Sequence, residues 1–267
     1  MSTLVLLIII AVLLAALLAI AWGVVIRTGQ SGWVDVFWAG GIGVASVAGA
    51  LLPLTDGPAV STRSWLVAIL VAIWSLRLGF YILGRTLGGA VDGRYTQLRD
   101  NWGAQFNAKL LGFFEIQALA GWVLAASAMA AARNPAPLGW GDAIGVIIFL
   151  VAIGGETLSD MQMRAFKADP RNKGKVCDRG LWGLSRHPNY FFEWLSWVAY
   201  VPIGISLGYP CGYAALLAPV MMYWLLVKVS GIPPLEAQML KSRPEAFRAY
   251  QRRVRAFWPI PKSGETA

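Results

Sequence analysis

The sequence predicts an all-α integral membrane protein with seven transmembrane helices, its N-terminus outside and its C-terminus in the cytoplasm. Hydrophobic residues make up 57% of its 267 residues and charged residues only 14%, whereas a soluble domain carries about 25% charged residues. The apolar residues occur in long runs, and a run of about 20 is enough to cross a bilayer. Most lysines and arginines lie in loops that fall on one side of such a protein, and this bias marks the cytoplasmic side.

Each predicted span is an apolar run bounded by polar or turn-forming residues. A secretory signal is the alternative for the first run, but no basic segment precedes the run and the run is too long for a signal.

The predicted outer loops carry Arg63 and Arg133, and the other loops and the tail carry nearly all the remaining basic residues. The net charge of +9 therefore indicates topology, and no nucleic acid partner is expected. The runs cover approximately 4–26, 33–52, 65–84, 109–131, 140–158, 190–207 and 213–229.

The chain contains two cysteines, Cys177 and Cys211, and a single histidine, His187. Two cysteines are too few for a disulfide framework. One histidine excludes a histidine-rich metal site and argues against zinc or di-iron chemistry. The sequence therefore predicts no metal.

Polar residues inside the N-terminal spans are the first candidates for chemistry, since such residues are costly in a membrane. Asp35 begins the second span, where it is either a solvated carboxylate favoured by the helix dipole or a group at the mouth of a cavity. Arg77 and Tyr81 share one face of the third span. Glu115 lies in the fourth span, near enough to its end to reach the interface. The stretch 85–108, which includes Tyr95, is too long and aromatic for a simple connector, so we expect it to be structured.

A stripe of polar residues follows the fifth span. Glu156, Asp160, Met163 and Lys167 recur at helical spacing, on a helix that leaves the membrane. This stripe is either the solvated face of a charged helix or part of a binding site. The basic loop 169–175 comes next, and it leads into the densest polar stretch of the chain, residues 177–193.

That stretch predicts a tight glycine turn followed by a helix with Pro188 in its first turn. Asn189 and Glu193 are four residues apart and share a face of this helix. In the tail, Phe247, Tyr250, Val254 and Phe257 recur at helical spacing among arginines. This pattern is typical of an amphipathic basic helix on the membrane surface.

Two interpretations of the basic loop and the basic tail remain open. They form a pocket for an anionic cofactor, with arginines on its phosphates, or they meet anionic lipid headgroups. His187 is likewise either a packed, hydrogen-bonded histidine or a phosphate or ribose contact.

These C-terminal residues carry a resemblance. The chain resembles the steroid 5-alpha-reductase family, and more narrowly its bacterial branch first described as a domain of unknown function (DUF1295-like), which is related to membrane sterol reductases and isoprenylcysteine methyltransferases. The elements around Trp33, Asp35 and Trp38 and around Asp92, Arg94 and Tyr95 are also similar. The motif residues are Ser185, Arg186, His187, Pro188, Asn189, Tyr190 and Glu193, preceded by 178–182 and followed by 250–259.

The resemblance implies one membrane reductase domain over 1–267, with four substrate-side spans in 1–131 and the cofactor side in 132–267. It implies NADPH-dependent reduction of the carbon–carbon double bond of a 3-oxo-4-ene steroid, or a similar lipophilic enone, in a bacterial inner membrane, without an obligate protein partner. An N-terminal carboxylate and a tyrosine would polarise the ketone, for which Asp35, Glu115, Tyr81 and Tyr95 compete. The implied cofactor residues are Glu156, Asp160, Met163, Arg164, Lys167, Lys175, Arg179, Trp182, Arg186, His187, Asn189, Tyr190, Glu193 and Tyr250.

Two other functions compete with this one. A membrane methyltransferase of the isoprenylcysteine or phospholipid type has a similar motif and uses S-adenosylmethionine. A non-catalytic sterol- or lipid-binding protein would use the motif only structurally, but polar groups held idle in a membrane are costly.

Overall fold

The computed structural model describes residues 1–89 and 93–261, and of residues 93–97 it describes the backbone alone. This part of the chain is helical, with two isolated bridges as its only β-type pairing. Six helical segments in it are long and apolar enough to cross a membrane: Thr3–Thr28, Gly32–Leu51, Thr62–Leu87, Leu98–Ala132, Trp140–Ala168 and Pro210–Ser242. They indicate a multi-pass membrane protein. The seven-span count and the orientation of the termini stay predictions.

The first spans begin and end close to their predicted limits, and short helices occupy the motif and the tail. A 3₁₀ segment, Pro210–Leu216, precedes α10, and a π-helical segment, Leu225–Val229, follows it. The α-helices are α1 (Thr3–Thr28), α2 (Gly32–Leu51), α3 (Thr62–Leu87), α4 (Gly93–Trp102), α5 (Phe106–Ala132), α6 (Trp140–Ala168), α7 (Leu181–Leu184), α8 (Pro188–Val198), α9 (Tyr200–Gly204), α10 (Leu217–Trp224), α11 (Ile232–Ser242) and α12 (Pro244–Arg253).

The chain divides into two compact units. The first comprises Met1–Gly145 and Tyr200–Ala218, and the second comprises Val146–Ala199 and Pro219–Ala267. All residues predicted to polarise a substrate belong to the first unit. All residues predicted to bind a cofactor belong to the second.

Close helix packing in the first unit depends on small residues of α2. A Cβ atom at Gly43 would lie 2.1 Å from Ser75 Oγ of α3, and one at Gly121 of α5 would lie 3.1 Å from Ile42 Cγ1 of α2. Ser75 Oγ also donates to the Ala39 carbonyl at 2.9 Å. Small residues let helices approach and pack where lipid provides no hydrophobic driving force.

Arg63 and Arg133, the basic residues of the predicted outer loops, are both buried in the first unit. Arg63 pairs with the Asp142 carboxylate through Nε and Nη2, at 2.7 and 2.8 Å, and also donates to three backbone carbonyls. The Arg133 guanidinium donates to the carbonyls of Gly49, Leu52 and Pro58. Both arginines therefore donate to acceptors in the interior of the protein, mainly backbone carbonyls.

Helix α3 begins three residues before the predicted span because it has a cap. The Ser61 and Ser64 side chains each accept a hydrogen bond from the backbone N–H of the other residue, a reciprocal arrangement that satisfies exposed donors at a helix start. Helix α6 runs without interruption from Trp140 to Ala168, which confirms that the polar stripe continues the fifth span.

The predicted sixth span, 190–207, is interrupted. Helix α8 ends at Val198 and α9 begins at Tyr200. Pro202 explains the break, because it has no N–H to donate to the Val198 carbonyl and its ring clashes with that carbonyl. This region is absent from the six long apolar segments of the described chain.

The predicted surface helix of the tail is wrong in extent and in placement. Helix α12 ends at Arg253, and Val254 is extended, with φ −120° and ψ 139°. The apolar stripe is buried within the second unit, where Phe247, Tyr250 and Val254 pack with Val176, Met239 and Leu240. The stripe therefore faces protein instead of lipid.

The Arg63 network provides a test of the first unit. We expect Arg63→Met to lower the free energy of unfolding by about 3–5 kcal/mol, because the buried Asp142 carboxylate loses its counterion. The double variant Arg63→Met/Asp142→Leu should recover most of this loss, since it buries no unpaired charge. Denaturation in detergent measures both, with the exposed Arg27→Met as control. Equal effects of the Arg63 and Arg27 substitutions would contradict the assignment.

Candidate functional site

The motif turn is anchored on the second half of α6. Gly180 has φ +59°, and a Cβ atom there would lie 2.5 Å from the Gln162 amide nitrogen, so both conformation and space require glycine. The next backbone N–H, of Leu181, donates to Gln162 Oε1 at 3.0 Å. Trp182 Nε1 donates to the Ser159 carbonyl at 3.0 Å. These bonds fix α7 beside the polar stripe of α6.

Three carboxylates of the second unit are buried: Glu156 and Asp160 on α6, and Glu193 on α8. The two helices touch where a Cβ atom at Gly155 would lie 2.3 Å from the Phe192 ring. Glu156 and Glu193 each follow one of these contact residues, so both lie at the crossing. Glu193 Oε1 accepts a hydrogen bond from Trp197 Nε1 at 3.1 Å. Buried carboxylates in a membrane protein are expensive and typically have a function or a partner.

The other predicted cofactor residues of this unit differ in their exposure. Met163, Asn189 and Tyr190 are half-buried, and Trp182, His187 and Tyr250 are buried. Long basic side chains at the end of α6 and in the following loop reach solvent: Arg164, Lys167, Lys175 and Arg179. The unit therefore combines buried carboxylates with an exposed basic rim.

Glu236 of α11 organises the residues that precede α8. Its carboxylate accepts from Arg186 Nε at 2.7 Å and from Arg186 Nη2 at 3.0 Å. It also bonds His187 Nε2 at 3.1 Å and accepts from Gln251 Nε2 at 2.7 Å. We call Glu236, Arg186, His187 and Gln251 the tail clamp. Sequence reasoning missed Glu236 and Gln251, and the one available signal was an acidic residue within a basic tail.

Backbone bonds reinforce the tail clamp. The Arg186 N–H donates to the Arg255 carbonyl at 2.8 Å, and Ser185 Oγ donates to the Phe257 carbonyl at 2.9 Å. The Tyr250 hydroxyl donates to the Trp182 carbonyl. Burial raises the pKa of the Tyr250 phenol, so it remains a protonated donor. Arg186, His187 and Tyr250 are thus engaged within the protein, and their predicted contact with a cofactor stays a prediction.

An aromatic cluster holds α8 against the tail and α10. Phe191 and Trp194 of α8 lie 5.6 and 5.8 Å, centroid to centroid, from Phe257, whose ring lies 5.3 Å from Tyr223. Most of these rings meet edge to face, the geometry that aromatic pairs prefer.

The predicted catalytic residues are distributed over four helices of the first unit, α2, α3, α4 and α5. Asp35 is half-buried in the first turn of α2, and Glu115 is half-buried on α5. Tyr81 of α3 is half-buried with the Arg77 and Arg85 guanidinium groups 5.5 and 5.8 Å from its ring centroid. The Tyr95 side chain and Asp92 lie outside the described residues.

The single histidine gives a pH test of the tail clamp. Burial lowers the pKa of the His187 imidazole and Arg186 lowers it further, against the opposing effect of Glu236. We expect the imidazole to titrate below its ordinary value of about 6.5. As the pH falls below about 6.5 the unfolded chain takes up the proton first, so folding stability decreases.

Nuclear magnetic resonance of ¹³C-labelled histidine in the untagged chain measures the titration directly. The variant His187→Gln should lose less stability than the native chain between pH 7.5 and 5.5 (about one pH unit on either side of that value). A titration midpoint at or above the ordinary value would contradict the buried, neutral imidazole.

Comparison with known proteins identifies the chain at family level. A probable O-methyltransferase of Ustilaginoidea virens, ustE, is 41% identical over 68 residues, which are 25% of this chain and 24% of that protein. The uncharacterized protein C594.04c of Schizosaccharomyces pombe is 28% identical over 270 residues, 90% of this chain and 76% of its own length. No solved structure matches.

The family described as "Protein of unknown function (DUF1295)" matches residues 21–254. This match confirms the DUF1295-like part of the resemblance, and the wider assignment to steroid 5-alpha-reductases stays a prediction. Because the match covers both units and the whole motif, the chain belongs to the DUF1295 family.

Proposed function

We propose that this chain is a membrane enzyme that uses NADPH to reduce the carbon–carbon double bond of a 3-oxo-4-ene steroid or a related lipophilic enone. The observation that carries the proposal is the second unit, in which buried carboxylates and an exposed basic rim surround the motif. These are the two kinds of group that a phosphorylated dinucleotide needs. The proposal assigns cofactor binding to the second unit and substrate polarisation to the first.

The residues of the second unit fit NADPH chemically. Carboxylates accept hydrogen bonds, so Glu193 and Asp160 suit the hydroxyl and amide N–H groups of a dinucleotide. Lys175 and Arg179 are exposed cations that suit its phosphates. Asn189, in the first turn of α8, supplies both a donor and an acceptor.

The chemistry follows from the charge that develops on the substrate. When bound, NADPH would supply the hydride for carbon 5 and would leave as NADP⁺, and the electrons of the double bond would move toward the 3-oxo oxygen. A proton from solvent would add at carbon 4 as the ketone re-forms. The protein must donate to that oxygen as it becomes negative, because such donors stabilise the transition state. Tyr81 or Tyr95, assisted by Asp35 or Glu115, is assigned this role.

Methyl transfer from S-adenosylmethionine is the second candidate. The observation that favours it is the match to the probable O-methyltransferase, which covers about a quarter of this chain. The two candidates differ in what the exposed basic rim must bind, because S-adenosylmethionine carries no phosphate. Binding experiments can therefore separate them.

The basic rim yields the first test of the proposed function. NADPH should stabilise the purified chain, by about 2.7 kcal/mol at a hundred times its Kd. The double variant Lys175→Gln/Arg179→Gln should weaken NADPH binding roughly tenfold or more, because it loses charged contacts to phosphate. Thermal unfolding in detergent with NADPH, NADH and S-adenosylmethionine measures both effects.

The matched control is Lys241→Gln/Arg248→Gln, which removes two exposed cations from the tail of the same unit. It should bind NADPH like the native chain. Stabilisation by S-adenosylmethionine alone would overturn the reductase proposal and support methyl transfer. No stabilisation by any of the three would favour a lipid-binding protein.

The tyrosines of the first unit give the second test. Removing the hydroxyl that donates to the ketone should lower turnover by about 10²–10³-fold and leave NADPH binding unchanged. Tyr81→Phe and Tyr95→Phe, each assayed with 3-oxo-4-ene steroids, identify which hydroxyl acts. Full activity of both variants would show that neither tyrosine is the donor.

A further inference from the structure

We propose that Glu236 is a positioning residue that fixes the start of α8, and with it Asn189 and Tyr190, for cofactor binding. The inference rests on the proposed function of the second unit. It assigns a role to a carboxylate that lies outside the motif and some fifty residues further along the chain.

The first step is the bidentate ion pair between Arg186 and Glu236. Both oxygens of the carboxylate accept from the guanidinium, at 2.7 and 3.0 Å, and the two side chains are 10% and 13% exposed. A bidentate pair fixes orientation as well as distance. Arg186 Nη1 donates in addition to the Val254 carbonyl. Several donors of the guanidinium are therefore bonded to acceptors of the tail. These bonds fix the backbone at Arg186, two residues before α8 begins.

The second step is that the His187 ring contacts both Glu236 and Tyr190 and so links them. His187 Nε2 lies 3.1 Å from Glu236 Oε1. The imidazole plane is stacked on the Tyr190 ring, with the centroids 5.5 Å apart and the planes 9° from parallel. Because Arg186 already balances the charge of Glu236, a neutral imidazole that donates from Nε2 satisfies this geometry. The carboxylate thus sets the plane of the histidine, and the histidine sets the plane of the tyrosine.

The third step is the direct link from His187 to the helix start. His187 is the residue before Pro188, the first residue of α8, and the His187 carbonyl accepts from the Phe191 N–H at 3.2 Å. The His187 N–H itself donates to Ser185 Oγ at 3.1 Å, and that hydroxyl is bonded to the tail. Rotation of the histidine would therefore shift the first turn of α8, where Asn189 and Tyr190 lie half-buried.

The ion pair between Arg253 and Asp178 is exposed, unlike the buried pair between Arg186 and Glu236. It links the tail to the motif at 3.2 Å, but its side chains are 58% and 37% exposed, and exposed pairs contribute little. The two pairs connect the same segments and differ in burial and in their link to α8. Arg253→Gln is therefore the matched control for Glu236→Gln.

The test uses Glu236→Gln, His187→Gln and Arg253→Gln in the full chain, with NADPH and an enone substrate. Glu236→Gln keeps the shape but removes the charge that orients Arg186. His187→Gln keeps an amide donor for Glu236 but removes the ring that stacks on Tyr190. We expect both to raise the Kd and KM for NADPH about tenfold or more, since small displacements of binding groups are costly. In Glu236→Gln the kcat at saturating NADPH should stay near the native value, as expected for a loss of cofactor binding alone.

Four outcomes are distinguishable. A raised Kd in Glu236→Gln and His187→Gln, with native binding in Arg253→Gln, supports the inference. Native affinity in both site variants, shown by thermal unfolding to be folded, overturns it and leaves the proposed function standing. If Glu236→Gln does not fold, Glu236→Asp, which keeps the charge but shortens the side chain, takes its place and should raise the Kd in the same way. A native chain that binds no NADPH overturns the proposed function first, and the inference for this cofactor with it.

Discussion

The ion pair between Arg186 and Glu236 is the constraint on which the second unit depends. A pair that is about nine-tenths buried gains little net stability over an apolar pair of the same shape, but breaking it leaves an uncompensated charge. Such a pair therefore specifies one arrangement more than it stabilises it. Here the arrangement brings the tail against the motif, and the carbonyls of Val254, Arg255 and Phe257 complete it.

In the first unit, two buried arginines donate hydrogen bonds to backbone carbonyls. Arg63, the second residue of α3, and Arg133, directly after α5, belong to the segments predicted to lie outside, where basic residues are uncommon. Both are buried, and their guanidinium groups satisfy clusters of carbonyls at helix ends. Five donors in a planar fork suit this task better than the single ammonium of lysine. Both arginines are therefore structural residues, and the orientation of the chain in the membrane stays a prediction.

Much of the fold could be predicted from the sequence, because long apolar runs and helical stripes are local signals. The limits of α1, α2 and α5 and the continuous α6 follow from such signals, and the capped start of α3 differs by a few residues. The break before Tyr200 depends on one proline, which hydrophobicity alone does not reveal. The tail shows the larger failure. Phe247, Tyr250, Val254 and Phe257 have helical spacing, yet α12 ends at Arg253, before the last two. There the Arg255 backbone pairs with Ser185 and Arg186, and the Val254 and Phe257 carbonyls accept from the Arg186 and Ser185 side chains. Glu236 was missed for the same reason, since its partners in the motif, Arg186 and His187, are 50 and 49 residues away.

The tail contacts also bear on how the protein is made. Trp182, Ser185 and Arg186 are bonded to residues between 236 and 257, with separations of 50 to 72 positions. Contacts of such long range form late in folding, and synthesis adds only about 5–20 residues per second. During translation, several seconds therefore pass between the synthesis of the motif and the synthesis of its partners in the tail. A chain interrupted before residue 236 therefore contains every residue from Ser185 to Glu193 and the α6 groups that contact α7, but it lacks Glu236 and the tail carbonyls that hold Ser185 and Arg186.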